Sequence, residues 1–150
     1  LVARSLGSVR VVNCASPAYV ERYGCPKTLE DLADHWLIEY DPMLGAKPLG
    51  WEWFDGKRRR YWPMPAALTV NNTETYEAGC VAGLGLIQAP VMGMRHLLEQ
   101  GELIEVLPAY APEPMPVSIL YQNRRQVPAR VQVFMDWLAE RVAPYTGMDS

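Results

Sequence analysis

The chain has 150 residues, the usual size of one domain, and its 14 Lys and Arg against 17 Asp and Glu give a formal net charge of -3. A 49% apolar fraction with 21% charged residues excludes a disordered polymer, because such chains combine low hydrophobicity with high charge. The mild acidity disfavours free-standing nucleic-acid binding. The chain opens at Leu1 within an apolar segment and without a Met, so we expect a piece of a longer protein.

Membrane insertion and export are not predicted from this chain. The longest apolar run, 80–94, is broken by Gly, Gln and Pro and is shorter than the ~20 residues that a membrane span requires. Arg4 and Arg10 have no apolar block between them, so no signal peptide is expected. The three cysteines lack the spacing of zinc or disulfide frameworks and favour reduced thiols in a cytoplasm: Cys14, Cys25 and Cys80. A processed export protein stays open as an alternative.

The first third of the chain predicts strands alternating with short helices. Ser16 before Pro17 is typical of an N-cap followed by the first helical residue, and Gly24 is a typical helix stop. The predicted elements are a strand over 9–12, a helix over 17–23, a brief helix over 28–35 capped by Thr28 and Asp31, and a strand over 36–40.

A β-hairpin is the clearest local prediction. The pair 55–56, Asp-Gly, lies between two aromatic-rich runs and predicts a two-residue turn. That turn would place Trp53 opposite Arg58 and Glu52 opposite Arg59. The arginines would then cover the tryptophans and one would be neutralised, so the four consecutive cations after the turn predict no nucleic-acid site.

The rest of the chain continues the alternation of strands and helices. Asn71 with Glu74 three residues later predicts the N-cap of a helix that buries Tyr76, Cys80 and Val81. Further predictions are strands over 68–70, 84–89, 103–107 and 117–121, helices over 72–82 and 90–100, and a last helix from Pro128 with an apolar stripe of Val131, Phe134, Leu138 and Val142. This alternation predicts an α/β domain with a mostly parallel sheet.

The motif search predicts neither an enzyme nor a cofactor. The run 83–89 lacks the third glycine of a dinucleotide loop, and no phosphate loop or nucleophile elbow occurs. His35 and Glu39 are four residues apart, but a strand from Trp36 onward would separate them, which disfavours a metal site. Each cysteine is interpreted as a small buried hydrophobe.

Two loops remain as candidate binding sites. Asn71, Asn72 and Thr73 offer amide and hydroxyl groups at a helix start, where backbone N–H groups suit a carboxylate or another anion. Ser16 does the same at the first predicted helix. Ligands of open α/β sheets collect beyond the carboxyl ends of strands, which both loops follow. The alternative is that each residue only caps its helix.

The order and spacing of several motifs resemble the LysR-type transcriptional regulators over nearly the whole chain. The motifs are Arg10-Val-Val-Asn-Cys-Ala-Ser-Pro-Ala-Tyr, Leu68-Thr-Val-Asn-Asn-Thr-Glu, Ala82-Gly-Leu-Gly-Leu-Ile-Gln-Ala-Pro, Gly101-Glu-Leu-Ile-Glu-Val-Leu, Pro116-Val-Ser-Ile-Leu-Tyr, Arg124-Arg125 and Pro128-Ala-Arg-Val. The resemblance implies a fold like the type 2 periplasmic binding proteins, with two α/β subdomains of mixed, mostly parallel sheets.

Mapped by motif, the second subdomain spans 13–122, and 1–12 with 123–150 form the remnant of an incomplete first subdomain. The resemblance implies that the DNA-binding winged helix-turn-helix is absent from this chain, so DNA would be bound only through an N-terminal domain outside it. The implied function is to sense a small organic effector, often a carboxylate or an aromatic molecule. The resemblance also implies a cytoplasmic homo-oligomer, either a dimer or a tetramer, that does not bind a membrane.

The resemblance also implies effector contacts on the loop after the strand 36–40. These contacts are Asp41, Pro42 and Met43, and a second implied set coincides with Asn71, Asn72 and Thr73. Ser16 stays a weaker candidate, because its capping role already explains it.

Two rival functions stay open at this point. One is an exported type 2 solute-binding protein for a small organic molecule. The other is an enzyme or redox sensor that depends on Cys14 or Cys80. If the first subdomain is incomplete, the last helix would also expose part of its apolar stripe, which predicts self-association or segment exchange.

Overall fold

The computed structural model describes residues 1–122 and 126–146, and the chain divides into two compact units. The central unit is Val11–Glu113, and the terminal unit joins Leu1–Arg10 to the chain from Pro114 onward. The units therefore divide at 10/11 and 113/114, whereas the motif mapping placed the divisions at 12/13 and 122/123. The motif Arg124-Arg125 lies outside the described residues.

The described residues form short strands and helices in the predicted alternation. The strands are β1 (Val2–Val9), β2 (Val11–Ala15), β3 (Leu37–Tyr40), β4 (Trp51–Phe54), β5 (Arg59–Trp62), β6 (Ala66–Val70), β7 (Ile87–Pro90), β8 (Ile104–Glu105) and β9 (Met115–Tyr121). The α-helices are α1 (Pro17–Tyr23), α2 (Thr73–Val81), α3 (Val91–Glu99) and α4 (Ala129–Val142), and 3₁₀ turns cover Glu30–Asp34, Pro108–Tyr110 and Ala143–Tyr145.

The terminal unit contains an antiparallel ribbon of β1 and β9 together with α4. Because β9 pairs with β1 from Val2↔Tyr121 to Val9↔Met115, β9 belongs to this unit and not to the central one. On α4 the buried residue is Met135, which the predicted stripe did not include, while Phe134 of the stripe is 56% exposed, as expected for an apolar stripe that lacks part of its cover. Spacings of four, three and four residues place Val131, Met135, Leu138 and Val142 on one face of the helix, and Phe134 lies at the border of that face, about 100° around the helix from Met135.

The sheet of the central unit is mixed in direction. β2 lies between β7 and β8 and is antiparallel to both, β3 is parallel to β6, and the parallel bridge Leu37↔Leu86 joins β3 to the start of β7. The expectation of mostly parallel pairing is therefore wrong in this unit. The crossover helix α2 makes β6 and β7 run the same way, but β2 runs against them, which the spacing of helices and strands does not reveal.

Apolar residues cover both faces of this sheet. Val12 and Cys14 of β2 join the cluster under α2 and α3, while Ala15 joins the cluster under α1 and β4. On α2 the prediction is right for Tyr76 and Cys80 and wrong for Val81, which is 36% exposed. Gly79 is buried in its place, against the Ile38 side chain.

The hairpin β4–β5 forms with a longer turn than predicted. Phe54 pairs with Arg59 and Trp53 with Arg60, so four residues, not two, connect the strands. The Asp55 carboxylate accepts the N–H groups of Lys57 and Arg58 at 2.8 and 2.9 Å, which stabilises the four-residue turn. These bonds and the Arg60 guanidinium lower the pKa of Asp55 to about 2.

The shift of the hairpin register by two residues leaves the faces of its strands unchanged, because side chains alternate with period two. Glu52 now lies opposite Tyr61, and its carboxylate still lies 3.6 Å from the Arg59 guanidinium. The predicted opposition of Glu52 and Arg59 is therefore wrong, while their ion pair survives diagonally.

Candidate functional site

Two of the predicted loops meet at one edge of the central sheet. β3 and β6 are parallel with Tyr40 opposite Val70, and the Asp41 N–H donates to the Val70 carbonyl at 2.8 Å. The loop that begins at Asp41 and Pro42 therefore starts beside the segment 71–73. We call this the Asn71 edge: residues 41–42 and 71–73.

The helix start at this edge is capped by Asn72 and not, as predicted, by Asn71. The Asn72 side chain accepts the Thr75 N–H at 2.9 Å from an extended backbone. Asn71 accepts a 3.3 Å bond from the Asn72 side chain, and both Asn71 and Thr73 are exposed. Because two asparagines are adjacent, the sequence pattern alone does not determine which one caps. Asn71 and Thr73 thus present polar side chains to solvent at the first turn of α2.

Asp41 organises its own loop. Its carboxylate accepts N–H groups from Met43 at 3.0 Å, Gly45 at 2.7 Å and Ala46 at 2.8 Å. These bonds lower the pKa of Asp41 and hold Leu44 at a φ of 53°, in the left-handed region. The loop presents Met43, which is 86% exposed, and an exposed Pro42. These three bonds to the carboxylate therefore fix the path of the loop that forms this wall of the edge.

A tyrosine from α2 completes the sheet beside the same edge. The Tyr76 hydroxyl accepts the Gln88 N–H at 2.9 Å and donates to the Gln88 carbonyl at 3.1 Å, replacing strand-to-strand bonds beyond the Leu37↔Leu86 bridge. Burial raises the pKa of Tyr76, so the hydroxyl keeps its proton. Tyr40 packs edge-on against the Tyr76 ring at 5.4 Å and is 41% exposed. The sequence prediction did not identify either tyrosine as part of the edge.

A network of two amides fixes the hairpin to the sheet. The Gln88 side chain donates to the side-chain oxygen of Asn13 at 3.0 Å and to the Glu52 backbone carbonyl at 2.7 Å, and it accepts the Glu52 N–H at 3.0 Å. Asn13, which is 1% exposed, donates to the Leu107 carbonyl at 2.9 Å. Each amide lies inside an apolar strand, a signal that the sequence carried and the prediction missed. Amides bonded in this way, the buried Asn13 and the half-buried Gln88, determine how segments pack.

Ser16 is not brought together with the other predicted site residues. β2 is antiparallel to β7, so the residue after β2 lies at the sheet edge opposite the carboxyl ends of β3 and β6. Ser16 is 2% exposed, and its hydroxyl accepts the Tyr19 N–H at 3.1 Å. Its capping role is therefore observed, and burial closes it to a ligand.

The described residues contain no group of three or more His, Cys, Asp or Glu that could hold a metal ion. His35 Nδ1 lies 2.8 Å from the Tyr19 hydroxyl, while the Glu39 carboxylate accepts the Gly50 N–H at 3.3 Å. Cys14 and Cys80 are both fully buried, and burial raises the pKa of the Cys80 thiol. A buried thiol with a raised pKa is a poor nucleophile, which disfavours a cysteine-dependent activity.

Within residues 1–122 and 126–146, no helix has the length and apolar character needed to cross a bilayer.

The family model described as "LysR substrate binding domain" matches residues 1–143. The chain belongs to the LysR substrate-binding family. The resemblance drawn from the motifs is thereby confirmed, and the LysR assignment covers both units.

Relatives with transcriptional names support the LysR assignment. An uncharacterized HTH-type transcriptional regulator, YhjC of Escherichia coli K12, is 43% identical over 97% of this chain and 48% of its own length. The HTH-type transcriptional activator AaeR of the same organism is 32% identical over 93% of this chain and 45% of its own. The chain thus spans about half the length of the curated relatives it matches.

The fold is shared with solved LysR regulatory domains. The regulatory domain of CrgA from Neisseria meningitidis superposes with a TM-score of 0.75 at 26% identity, covering 93% of this chain and 68% of that one. The predicted fold class, an α/β fold of the type 2 periplasmic-binding-protein kind, is confirmed, apart from the mostly parallel pairing corrected above.

Proposed function

We propose that this LysR chain is the effector-sensing part of a bacterial transcriptional regulator and binds a small organic molecule at the Asn71 edge. The observation that carries the proposal is the parallel pairing of β3 and β6, which sets the loop at Asp41 and Pro42 beside the exposed Asn71 and Thr73. Ligands of α/β sheets collect at the carboxyl ends of parallel strands.

The roles at this edge divide between contact and support. Asn71 and Thr73 supply an amide and a hydroxyl at the positive end of α2, which suits a carboxylate or another electron-rich group. Asn72 supports them by capping the helix, and Asp41 supports the opposite wall through its three N–H bonds. Pro42 and the half-exposed Tyr40 add apolar surface for the body of the effector.

Thermal shifts test the binding site. A library of carboxylates and aromatic molecules is screened for compounds that raise the unfolding midpoint of the chain, since a ligand at 100 times its Kd adds about 2.7 kcal/mol of stability. A compound bound at this edge loses its shift in Asn71→Ala and Thr73→Val. The shift persists in the control Gln100→Ala, which removes an exposed amide at the carboxyl end of α3. Equal shifts in all variants would place the compound elsewhere.

In the complete protein, effector binding would shift the population of an arrangement that positions DNA-binding domains outside this chain. We expect a cytoplasmic homo-oligomer that contacts DNA only through those domains and carries out no chemistry of its own. The coding sequence upstream of Leu1 distinguishes this function from the exported solute-binding alternative. A winged helix-turn-helix there supports the regulator, and a signal peptide supports the solute-binding protein.

Binding to promoter DNA by the complete protein tests the regulatory step. The proposal expects a compound found in the screen to change the affinity or the footprint on its promoter. It expects Asn71→Ala to abolish that response while DNA binding without the compound is retained. A response that survives Asn71→Ala contradicts the assignment of the site.

A further inference from the structure

A concave site lies at the edge of the central sheet opposite the Asn71 edge. It is a cavity of about 330 Å³ formed by the end of α1, the starts of β3 and β6, and the turn after α2. We call it the Arg22 cavity, after the cation among its lining residues: Arg22, Tyr23, Trp36, Ala66, Ala67 and Leu84. Its volume is at the small end of the range for ligand sites, about 300–1,000 Å³.

The walls of the Arg22 cavity expose several apolar side chains to water. Trp36 is 39% exposed and Leu84 is 51% exposed, and both line the same concavity. Ala67 adds a small exposed side chain between the larger ones. Exposing apolar surface to water costs free energy, and an apolar ligand that covers these side chains recovers it.

The cavity carries one positive charge that the described part of the chain does not neutralise. The Arg22 guanidinium carbon lies 5.2 Å from the centre of the Tyr23 ring, which holds it at the cavity wall. Among the described residues, Arg22 has no ion pair. A guanidinium beside apolar surface binds a carboxylate through two parallel hydrogen bonds.

The aromatic walls are held in place by buried contacts beneath them. The Tyr23 ring packs on the Tyr19 ring at 4.8 Å. The Tyr19 hydroxyl accepts the Trp36 N–H at 2.9 Å, and the Trp36 carbonyl accepts the Leu86 N–H at 2.8 Å. Because the backbone of Trp36 is fixed on both sides, less of this wall has to be ordered when a ligand binds, which lowers the entropic cost of binding.

We propose that the Arg22 cavity is a binding site for a planar aromatic carboxylate, with the carboxylate on Arg22 and the ring against Trp36 and Leu84. This site is separate from the Asn71 edge, because it lies at the amino-terminal ends of the parallel strands. The inference does not depend on the proposed effector site, and each can fail alone.

The test uses 2-naphthoate as the probe and neutral 2-naphthalenemethanol as its uncharged counterpart. The 150-residue chain is titrated while the indole N–H resonance of Trp36, assigned by its loss in Trp36→Phe, is followed by NMR. We expect saturable shifts and an affinity for 2-naphthoate about tenfold lower in Arg22→Gln, one lost charge-assisted contact. The affinity for the neutral probe is unchanged. Arg58→Gln, a control at the exposed hairpin turn, keeps both affinities.

A second variant keeps the test independent of Arg22 itself. Ala67→Glu places a carboxylate at an exposed wall position and is expected to abolish the response of the Trp36 resonance to 2-naphthoate, whereas Gln100→Ala leaves that response intact. The proposal is overturned if the Trp36 resonance does not saturate, or if Arg22→Gln and Ala67→Glu bind 2-naphthoate as the wild type does. It is also overturned if this resonance responds to protein concentration and not to the probe, because the cavity would then be part of an interface between copies.

Discussion

Two helix starts of the central unit, at Ser16 and at Asn72, use the same hydrogen bond in different surroundings. Each side-chain oxygen accepts the N–H three residues ahead, at 3.1 Å for Ser16 and 2.9 Å for Asn72. Ser16 is buried at the sheet edge where β2 ends, which we call the Ser16 edge, while Asn72 is exposed at the Asn71 edge. A capping pattern therefore identifies a helix start, whereas strand direction decides which edge of the sheet that start occupies.

The largest expected difference between the two edges is in the cost of losing a hydroxyl. Tyr19→Phe near the Ser16 edge removes bonds to His35 and to the Trp36 N–H from a buried site. We expect the free energy of unfolding to fall by about 2–3 kcal/mol, because buried partners lose their hydrogen bonds. Urea denaturation followed by circular dichroism measures the change.

The matched control is Tyr40→Phe at the Asn71 edge, where the tyrosine is 41% exposed. Its expected effect is within about 0.5 kcal/mol, as for most surface substitutions. Similar losses of unfolding free energy in Tyr19→Phe and Tyr40→Phe would contradict the distinction between the buried Ser16 edge and the exposed Asn71 edge.

The two caps themselves form the next prediction. Ser16→Ala should lower the free energy of unfolding by about 1–2 kcal/mol and Asn72→Ala by about 1 kcal/mol, since a buried N–H left without its partner costs more than one that water can reach. Thermal unfolding of the two variants under one buffer gives the ranking. An equal or larger loss in Asn72→Ala would contradict it.

Acid pH is expected to lower the free energy of unfolding through His35, which lies beside the Ser16 edge. Burial lowers the pKa of His35 below its ordinary value of 6.5, so the unfolded chain takes up this proton before the folded chain does. The stability contributed by neutral His35 is therefore complete above about pH 6.5 and is lost as the pH falls below that value. Unfolding free energies measured from pH 7.5 to 5 should decrease in the wild type and decrease less in His35→Gln.

His96→Gln serves as the control for this pH series, because His96 is exposed on α3, where it lies 3.6 Å from Glu77. The loss of stability at low pH should persist in His96→Gln, because His35 and its contact with Tyr19 are still present. Parallel profiles for all three proteins would show that the buried histidine does not cause the acid sensitivity.

The smallest expected effect is that of Asn71→Ala on stability. Asn71 is exposed and does not cap α2, so we expect the unfolding free energy to stay within about 0.5 kcal/mol of the wild type. The same thermal-melt series gives this value without ligand. A loss above about 1 kcal/mol would show that Asn71 supports the fold, and ligand effects of the variant could not then be assigned to contact.

The sequence predicts the α/β class, the family and most helix starts, because these depend on local signals and on motif order. Pro17 after Ser16 marks the start of α1, and Gly83, with a φ of 82°, follows the end of α2. Strand direction was not predictable in the same way. The antiparallel course of β2 depends on where the chain enters the central unit, and no residue of β2 encodes it.

The candidate site was predictable as loops and not as contacts. Asn71 to Thr73 and Asp41 were found because they follow strands and carry polar groups, but the three N–H bonds that occupy Asp41 depend on the path of its loop. The hairpin register failed for a related reason. Asp55 can accept several N–H groups in a longer turn, which the Asp-Gly pattern does not distinguish from a two-residue turn.

The hydroxyl of Tyr76 links the sheet to the helix that starts at the Asn71 edge. It provides both backbone partners of Gln88 where β3 and β7 are no longer directly bonded, and it lies one turn beyond the Asn72 cap. Because α2 is a single rigid segment, a displacement of its first turn also moves this tyrosine. Faster deuterium uptake at the Gln88 amide would then report a displacement of α2, although this amide lies inside the sheet and away from the first turn of the helix.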